Sequence, residues 1–323
     1  MPILPLYVPP ATTPNAWHQV TAPGGYECWH FDAEDVASNV RIVVDFTEGG
    51  GAHSAYRRRY ARYRLLPTCF APPAPGDYPC VRFAVYRGER PAWEFTKHYS
   101  ASDFHASDIA LDVRIGPNTL RRESDGKYHL HIEGDTVQAN LVFQPRFAHP
   151  PTERTFLSRQ LSGAEHRWII TDPLCDVQGS IAASADRLDF SGVGYHDHQF
   201  GTGPLGSGLS WFIHGRVLLN DLTLTFCLGK SPNRKLPDES HLVEADAAGI
   251  RDRVAPATIV GGMFRSGWGA AYPRGLRFGD VMELERPRVI ESKGSSARLI
   301  YDAKVEGGNG SALCHLAVTG WHR

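Results

Sequence analysis

No stretch of this 323-residue chain approaches the roughly 18–20 consecutive apolar residues that a membrane-spanning helix needs, so no stable membrane insertion is expected. Charge of one sign is not in excess. The 34 Lys and Arg stand against 35 Asp and Glu, which leaves no electrostatic footprint for a nucleic acid. The six cysteines (Cys28, Cys69, Cys80, Cys175, Cys227 and Cys314) include no C-x-x-C pair, and free thiols buried in a reducing cytoplasm are expected. The stretch from Met1 to Pro10 has no basic region and is broken by prolines, so it does not read as a secretory signal, and a cytoplasmic location follows. Two nucleotide and hydrolase signatures are also missing. Gly49-Gly50-Gly51 lacks the Lys-Ser/Thr of a phosphate loop, and Gly203-Pro204 with Ser207-Gly208 does not form a Gly-x-Ser-x-Gly elbow.

What is present is strand pattern. Apolar residues make up 42% of the chain, enough for one large or two ordinary cores, while helical periodicity is scarce. Val81–Tyr86, Tyr128–Glu133, Thr136–Phe143, Leu209–Leu219, Leu222–Leu228, Ala297–Tyr301 and Ala312–Val318 read as strands. Gly134-Asp135 and Asn220-Asp221 supply hairpin turns. Tyr56–Leu65, with Arg57, Arg58, Arg59, Arg62 and Arg64, fits a helix, a strand or a loop, and its arginines read as a solvated surface or an interdomain ion-pair element. Pro67–Pro79 is a loop, because proline removes ladder donors, and a composition break falls at Phe147–Pro151. With 32 Gly and 23 Pro, the pattern predicts an all-β protein of antiparallel sheets closed into barrels or sandwiches.

The chemistry concentrates in Gly192-Val193-Gly194-Tyr195-His196-Asp197-His198-Gln199-Phe200-Gly201. If this segment is extended, Tyr195, Asp197 and Gln199 share one face and His196 and His198 the other. The pairs His196-x-His198 and His129-x-His131 each put two imidazoles on one face, but neither has a third ligand at a recognised metal-site spacing, so no metal is expected. Near the N-terminus, Tyr26-Glu27-Cys28-Trp29-His30-Phe31-Asp32-Ala33 is similar to the Glu-Trp-Trp-Tyr-Phe-Asp-Ala signature of the carotenoid 1,2-hydratase and AttH-type lipocalin-like family, departing at Cys28 and His30. Gly194–Gly201 resembles the Gly-Tyr-His-Asp-His-Asn-Trp-Gly signature of the AttH-like branch, and His166-Arg167-Trp168 a His-x-Trp element of the hydratases.

The resemblance covers roughly residues 25–323. It implies two lipocalin-like antiparallel β-barrel domains packed side by side, residues 1–200 and 201–323. Carried over by position, it implies His166, Trp168, Tyr195 and Asp197 as the catalytic set; His196, His198, Trp29 and Trp211 are expected against the substrate. It also implies chemistry without a cofactor on a small apolar substrate, with at most transient membrane contact to collect it. Hydrating a C=C bond requires a proton on carbon. A carboxyl with an ordinary pKa of about 3.9 is a suitable donor only if burial keeps it protonated. Trp168 and Tyr195 would stabilise a carbocation through their π faces, and His166 would orient the acid or a water. The same parts serve isomerisation or cyclisation. A pericyclase acting through cavity shape, and a non-catalytic carrier of a hydrophobic metabolite, are the alternatives. The departures at Cys28, His30 and Gln199-Phe200 suit a relative with another substrate better than a carotenoid hydratase itself.

Overall fold

The computed structural model describes residues 13–148, 152–156, 164–184, 186–205, 209–219, 221–231, 238–265, 270–293, 296–306 and 308–318. The N-terminal stretch 1–10, the prolines at 150 and 151, Ser207-Gly208 and the turn residue Asn220 lie outside them. The chain divides into two compact units with the main division just after Leu205, the short segment Tyr86–Pro91 being grouped with the second. Each is one curled antiparallel half-barrel sheet, as the lipocalin-like expectation requires.

The first sheet contains β1 (Tyr26–Asp35), β2 (Val40–Gly49), β3 (Pro79–Arg87), β4 (Arg90–His98), β5 (Phe104–Ala106) and β6 (Asp112–Ile115). It continues with β7 (Asn118–Arg122), β8 (Tyr128–Glu133), β9 (Val137–Pro145), β10 (Thr152–Phe156), β11 (His166–Ala183) and β12 (Asp186–Gly201). Its order is β4-β3-β2-β1-β12-β11-β9-β8-β7-β6-β5, with β10 beside β11. The chain's late strands β11 and β12 are therefore inserted between β1 and β9, which brings residues about 170 positions apart into register. The core side carries Phe31, Val44, Phe83, Leu130, Phe143 and Val177.

The second sheet contains β13 (Trp211–Leu218), β14 (Thr223–Lys230), β15 (Glu239–Asp246), β16 (Gly249–Asp252) and β17 (Ala257–Phe264). It ends with β18 (Tyr272–Phe278), β19 (Met282–Lys293), β20 (Ser296–Val305) and β21 (Gly308–Val318). Its order is β16-β15-β14-β13-β21-β20-β19-β18-β17, over a core that includes Ile213, Phe226, Leu276, Leu299 and Leu316.

The arginine-rich segment is a helix, α1 (Ser54–Leu65), whose arginines are all exposed. It is anchored by Tyr56, which is buried and donates its hydroxyl to the Gly25 carbonyl at 2.9 Å. The Pro67–Pro79 loop contains one short 3₁₀ turn, Pro75–Asp77. All six cysteines are free; four are buried, Cys28 is half-buried and Cys69 is exposed. Among the described residues no helix is long and apolar enough to cross a membrane.

Two motif glycines are required by close approach. A Cβ at Gly192 would stand 2.3 Å from the Glu34 carbonyl oxygen, and one at Gly194 would stand 2.6 Å from Val177 Cγ2. Side chains there would push β12 away from β1 and β11.

Candidate active site

β12 lies between β1 and β11, and cross-strand partners share a face. Asp197 stands opposite His30 of β1, which in turn stands opposite Asp45 of β2; Tyr195 stands opposite Asp32, and Gln199 opposite Cys28 and Trp168. One face of the sheet thus gathers Tyr195, Asp197 and Gln199 with Cys28, His30, Asp32, Asp45 and Trp168. The sequence left open which face carried what. The structure puts Tyr195, Asp197 and Gln199 on this polar face and His196 and His198 on the side of the apolar core.

Asp197 is 1% exposed. Trp168 Nε1 donates to its Oδ2 at 2.9 Å and Gln199 Nε2 to its Oδ1 at 3.0 Å. Burial pushes the carboxyl above its ordinary range, and it does so against the charge of His30 and the neighbouring polar groups of Trp168, Gln199 and Tyr195, all of which favour the ionised form. The Tyr195 hydroxyl, also buried, makes no hydrogen bond of good geometry, and burial beside Asp197 holds its pKa well above normal.

His30 is the charged partner in this group. Its Nδ1 faces Asp45 Oδ1 at 2.6 Å and its Nε2 faces Asp32 Oδ2 at 3.1 Å. Both ring nitrogens meet carboxylate oxygens, so both carry protons. Burial alone would lower the pKa, but the Asp45 charge and the two hydrogen bonds outweigh it and lift it to about 10. Arg82 Nη1 lies 3.6 Å from the other oxygen of Asp45.

Of the catalytic set implied by resemblance, Trp168, Tyr195 and Asp197 are brought together. His166 is buried and its Nδ1 is hydrogen-bonded to the Tyr26 hydroxyl. On the core side, His196 stacks on Phe31 with ring centroids 3.8 Å apart. Its Nδ1 donates to the His30 carbonyl at 2.9 Å, and its Nε2 meets the Asn15 side chain at 3.0 Å. Burial pushes its pKa well below normal, as a neutral ring with one donor and one acceptor requires. His198 stacks on Trp29 at 4.8 Å, and Trp29 Nε1 donates to the Asn15 carbonyl at 3.2 Å. Trp211 belongs to the core of the second unit.

His30, Asp45 and Gln199 were absent from the implied set. The only local signal was a polar residue at every second position of Cys28-Trp29-His30-Phe31-Asp32 and an isolated Asp45 within Ile42–Phe46. Neither reveals its partner without the strand register. For metal ligands, the sequence considered His196 with His198; in space, His198 instead joins His18 and Glu27, whose ligand atoms all lie within 4.8 Å of one another. His131 is tied to Asn140 at 2.8 Å.

Comparison with known proteins agrees with this fold. No known family profile matches the chain. It is 29% identical to hydroxyneurosporene dehydrogenase of Chlorobaculum tepidum over 215 residues, 63% of this chain and 56% of that protein. Among solved structures it is similar to an AttH-type protein of Nitrosomonas europaea, with a TM-score of 0.68 at 16% identity over the whole of both chains. It is also similar to kievitone hydratase of Nectria haematococca, with a TM-score of 0.58 at 12% identity over 100% of this chain and 95% of the other. CghA, solved with Sch210972, gives 0.57 at 10% identity over 92% and 89%. The solved structures bear on the fold alone. With the partial curated match, they support the AttH- and carotenoid-hydratase-like resemblance read from the motifs.

Proposed function

We propose that this chain is an enzyme that protonates a C=C bond of a small apolar polyene, leading to hydration, isomerisation or cyclisation, with Asp197 as the acid. The observation that carries this reading is the environment of Asp197. Burial keeps the carboxyl protonated above its usual range, while Trp168, Gln199 and His30 are already placed to stabilise the carboxylate left after proton transfer. Such donors act mainly where charge develops, which is the condition for lowering a barrier. The indole of Trp168 and the phenol of Tyr195, beside the acid, would favour a substrate carbocation by about 2 kcal/mol once water is excluded. Similarity to a protein named for hydroxyneurosporene, spanning just over half of that protein's length, supports an extended unsaturated substrate. His166 acts here through Tyr26, and His196, His198 and Trp29 as supports behind the site.

The test is turnover of acyclic polyenes by the full chain, followed by mass spectrometry in D2O, with Asp197→Asn alongside. Asn keeps the volume, and Gln199 can rotate its amide to keep both hydrogen bonds. The variant is therefore expected to fold, with turnover reduced by about a hundred- to ten-thousand-fold, the usual contribution of a general acid. Wild-type product carries solvent deuterium at the protonated carbon. Unchanged turnover in Asp197→Asn, or a product without deuterium, would favour catalysis by shape instead. Binding without conversion would favour a carrier.

A further inference from the structure

On the core side of β1 and β12, opposite the face that carries Asp197, we infer that His18, Glu27 and His198 form a binding site for a divalent transition metal such as Zn²⁺. Glu27 Oε1 lies 3.1 Å from His18 Nδ1 and 2.9 Å from His198 Nε2, and all three residues are buried. Ligands bound to zinc at about 2.0–2.2 Å stand roughly 3.3–3.5 Å apart in a tetrahedral site, so the two glutamate–histidine pairs need to open by only a few tenths of an ångström, and all three ligand atoms already lie within 4.8 Å of one another.

Three independent features point the same way. The Nδ1 of His198 faces the Pro14 carbonyl at 3.2 Å, where only a donor fits. With Nδ1 so engaged, Nε2 faces the Glu27 carboxylate, whose Oε1 also accepts the His18 backbone N–H at 2.8 Å, so the segment carrying His18 is already held against the ligand oxygen. A metal-binding imidazole usually donates its other ring N–H to a carbonyl or carboxylate in this way, which fixes the tautomer and the ring's aim. Secondly, Glu27 Oε2 is buried with no hydrogen-bond partner. Thirdly, Glu48, the cross-strand neighbour of Glu27, is fully buried on the same face, and its Oε2 is also unpartnered while Trp17 holds its Oε1 at 3.1 Å. Two acidic side chains this close, away from water, must share compensating positive charge, as a proton or as a cation. The donor set of two imidazoles and one carboxylate suits borderline ions and not Mg²⁺ or Ca²⁺. A bound ion would clamp the segment carrying Pro14 and His18 to β1 and β12.

The test uses tag-free full-length protein, stripped with chelator, dialysed against Zn²⁺ and measured by elemental mass spectrometry. About one equivalent per chain is expected, with Tm raised by roughly 5–10 °C at a hundredfold excess over Kd. Glu27→Gln and His18→Asn should lose the ion, while His131→Ala, in the exposed His129-x-His131 pair, should keep it. Co²⁺ added to the stripped wild type should give the visible bands of a four-coordinate site, a readout that does not depend on any variant folding. Absence of stoichiometric Zn²⁺ and of those bands would overturn the inference, as would full retention in both His18→Asn and Glu27→Gln.

Discussion

Replacing His30 by Gln removes a buried positive charge, and the consequence for stability is calculable. The imidazole titrates near 6.5 in an unfolded chain and at about 10 between Asp45 and Asp32. The folded pKa is the higher one, so its stabilisation is fully present below pH 6.5 and is lost as pH rises toward 10. At 1.36 kcal/mol per unit, a rise of about 3.5 units corresponds to roughly 5 kcal/mol in total. Between pH 6 and pH 8 alone, the loss is about 2 kcal/mol. The assay is urea unfolding of the first unit at both pH values, for wild type and His30→Gln. Wild type should lose about 2 kcal/mol more than the variant over that interval. At every pH the variant should be the less stable, because buried Asp32 and half-buried Asp45 lose the imidazolium between them. Labelled-histidine NMR gives a direct check, with both His30 ring nitrogens protonated at pH 8. Equal pH dependence in the two proteins, or a neutral His30 at pH 8, would refute the assignment of a charged His30 beside Asp197.

Two further outcomes bear on the acid and its scaffold. Trp168→Phe removes a donor that lowers the Asp197 pKa, so the alkaline limb of turnover should move to higher pH while the rate falls by about tenfold or more, the value of a hydrogen bond to a charged group. An unmoved limb in the pH–rate profile would separate Trp168 from the acid. Gly192→Ala places a Cβ 2.3 Å from the Glu34 carbonyl oxygen, and backbone cannot yield as a flexible side chain would. A loss of about 1–3 kcal/mol is expected, seen as a lower Tm with the site chemistry unaltered.

How much of this was legible in the sequence depends on how each strand is buried. β8 and β9 alternate, with Tyr128, Leu130, Ile132, Val137, Ala139 and Leu141 inward and their neighbours outward or half-covered, and both were readable as strands. β1, β2 and the second half of β12 are buried on both faces, so polar and apolar residues mix without a period. β11 was hidden further by Pro173 and by register shifts between Ile170 and Cys175. The site follows the same division. Tyr195, Asp197 and Trp168 came from motif resemblance. The links from His30 to Asp45 and from Glu27 to His198 needed the register of three strands, which no local pattern encodes.

That register also explains why the motif combines glycines, histidines and an acid. Side chains alternate along β12, so a slip of one residue would move Asp197 into the apolar core and His196 onto the polar face. Gly192 and Gly194 admit β1 and β11 only at their present positions, because any neighbour with a Cβ would meet the Glu34 carbonyl or Val177 there. His196 then ties the two faces together. Its ring lies on Phe31 in the core, yet its Nδ1–H holds the carbonyl of His30, the residue whose charge stands beside Asp197. The histidines flanking Asp197 thus set its strand at one height against β1, and they do so from the opposite face of the sheet.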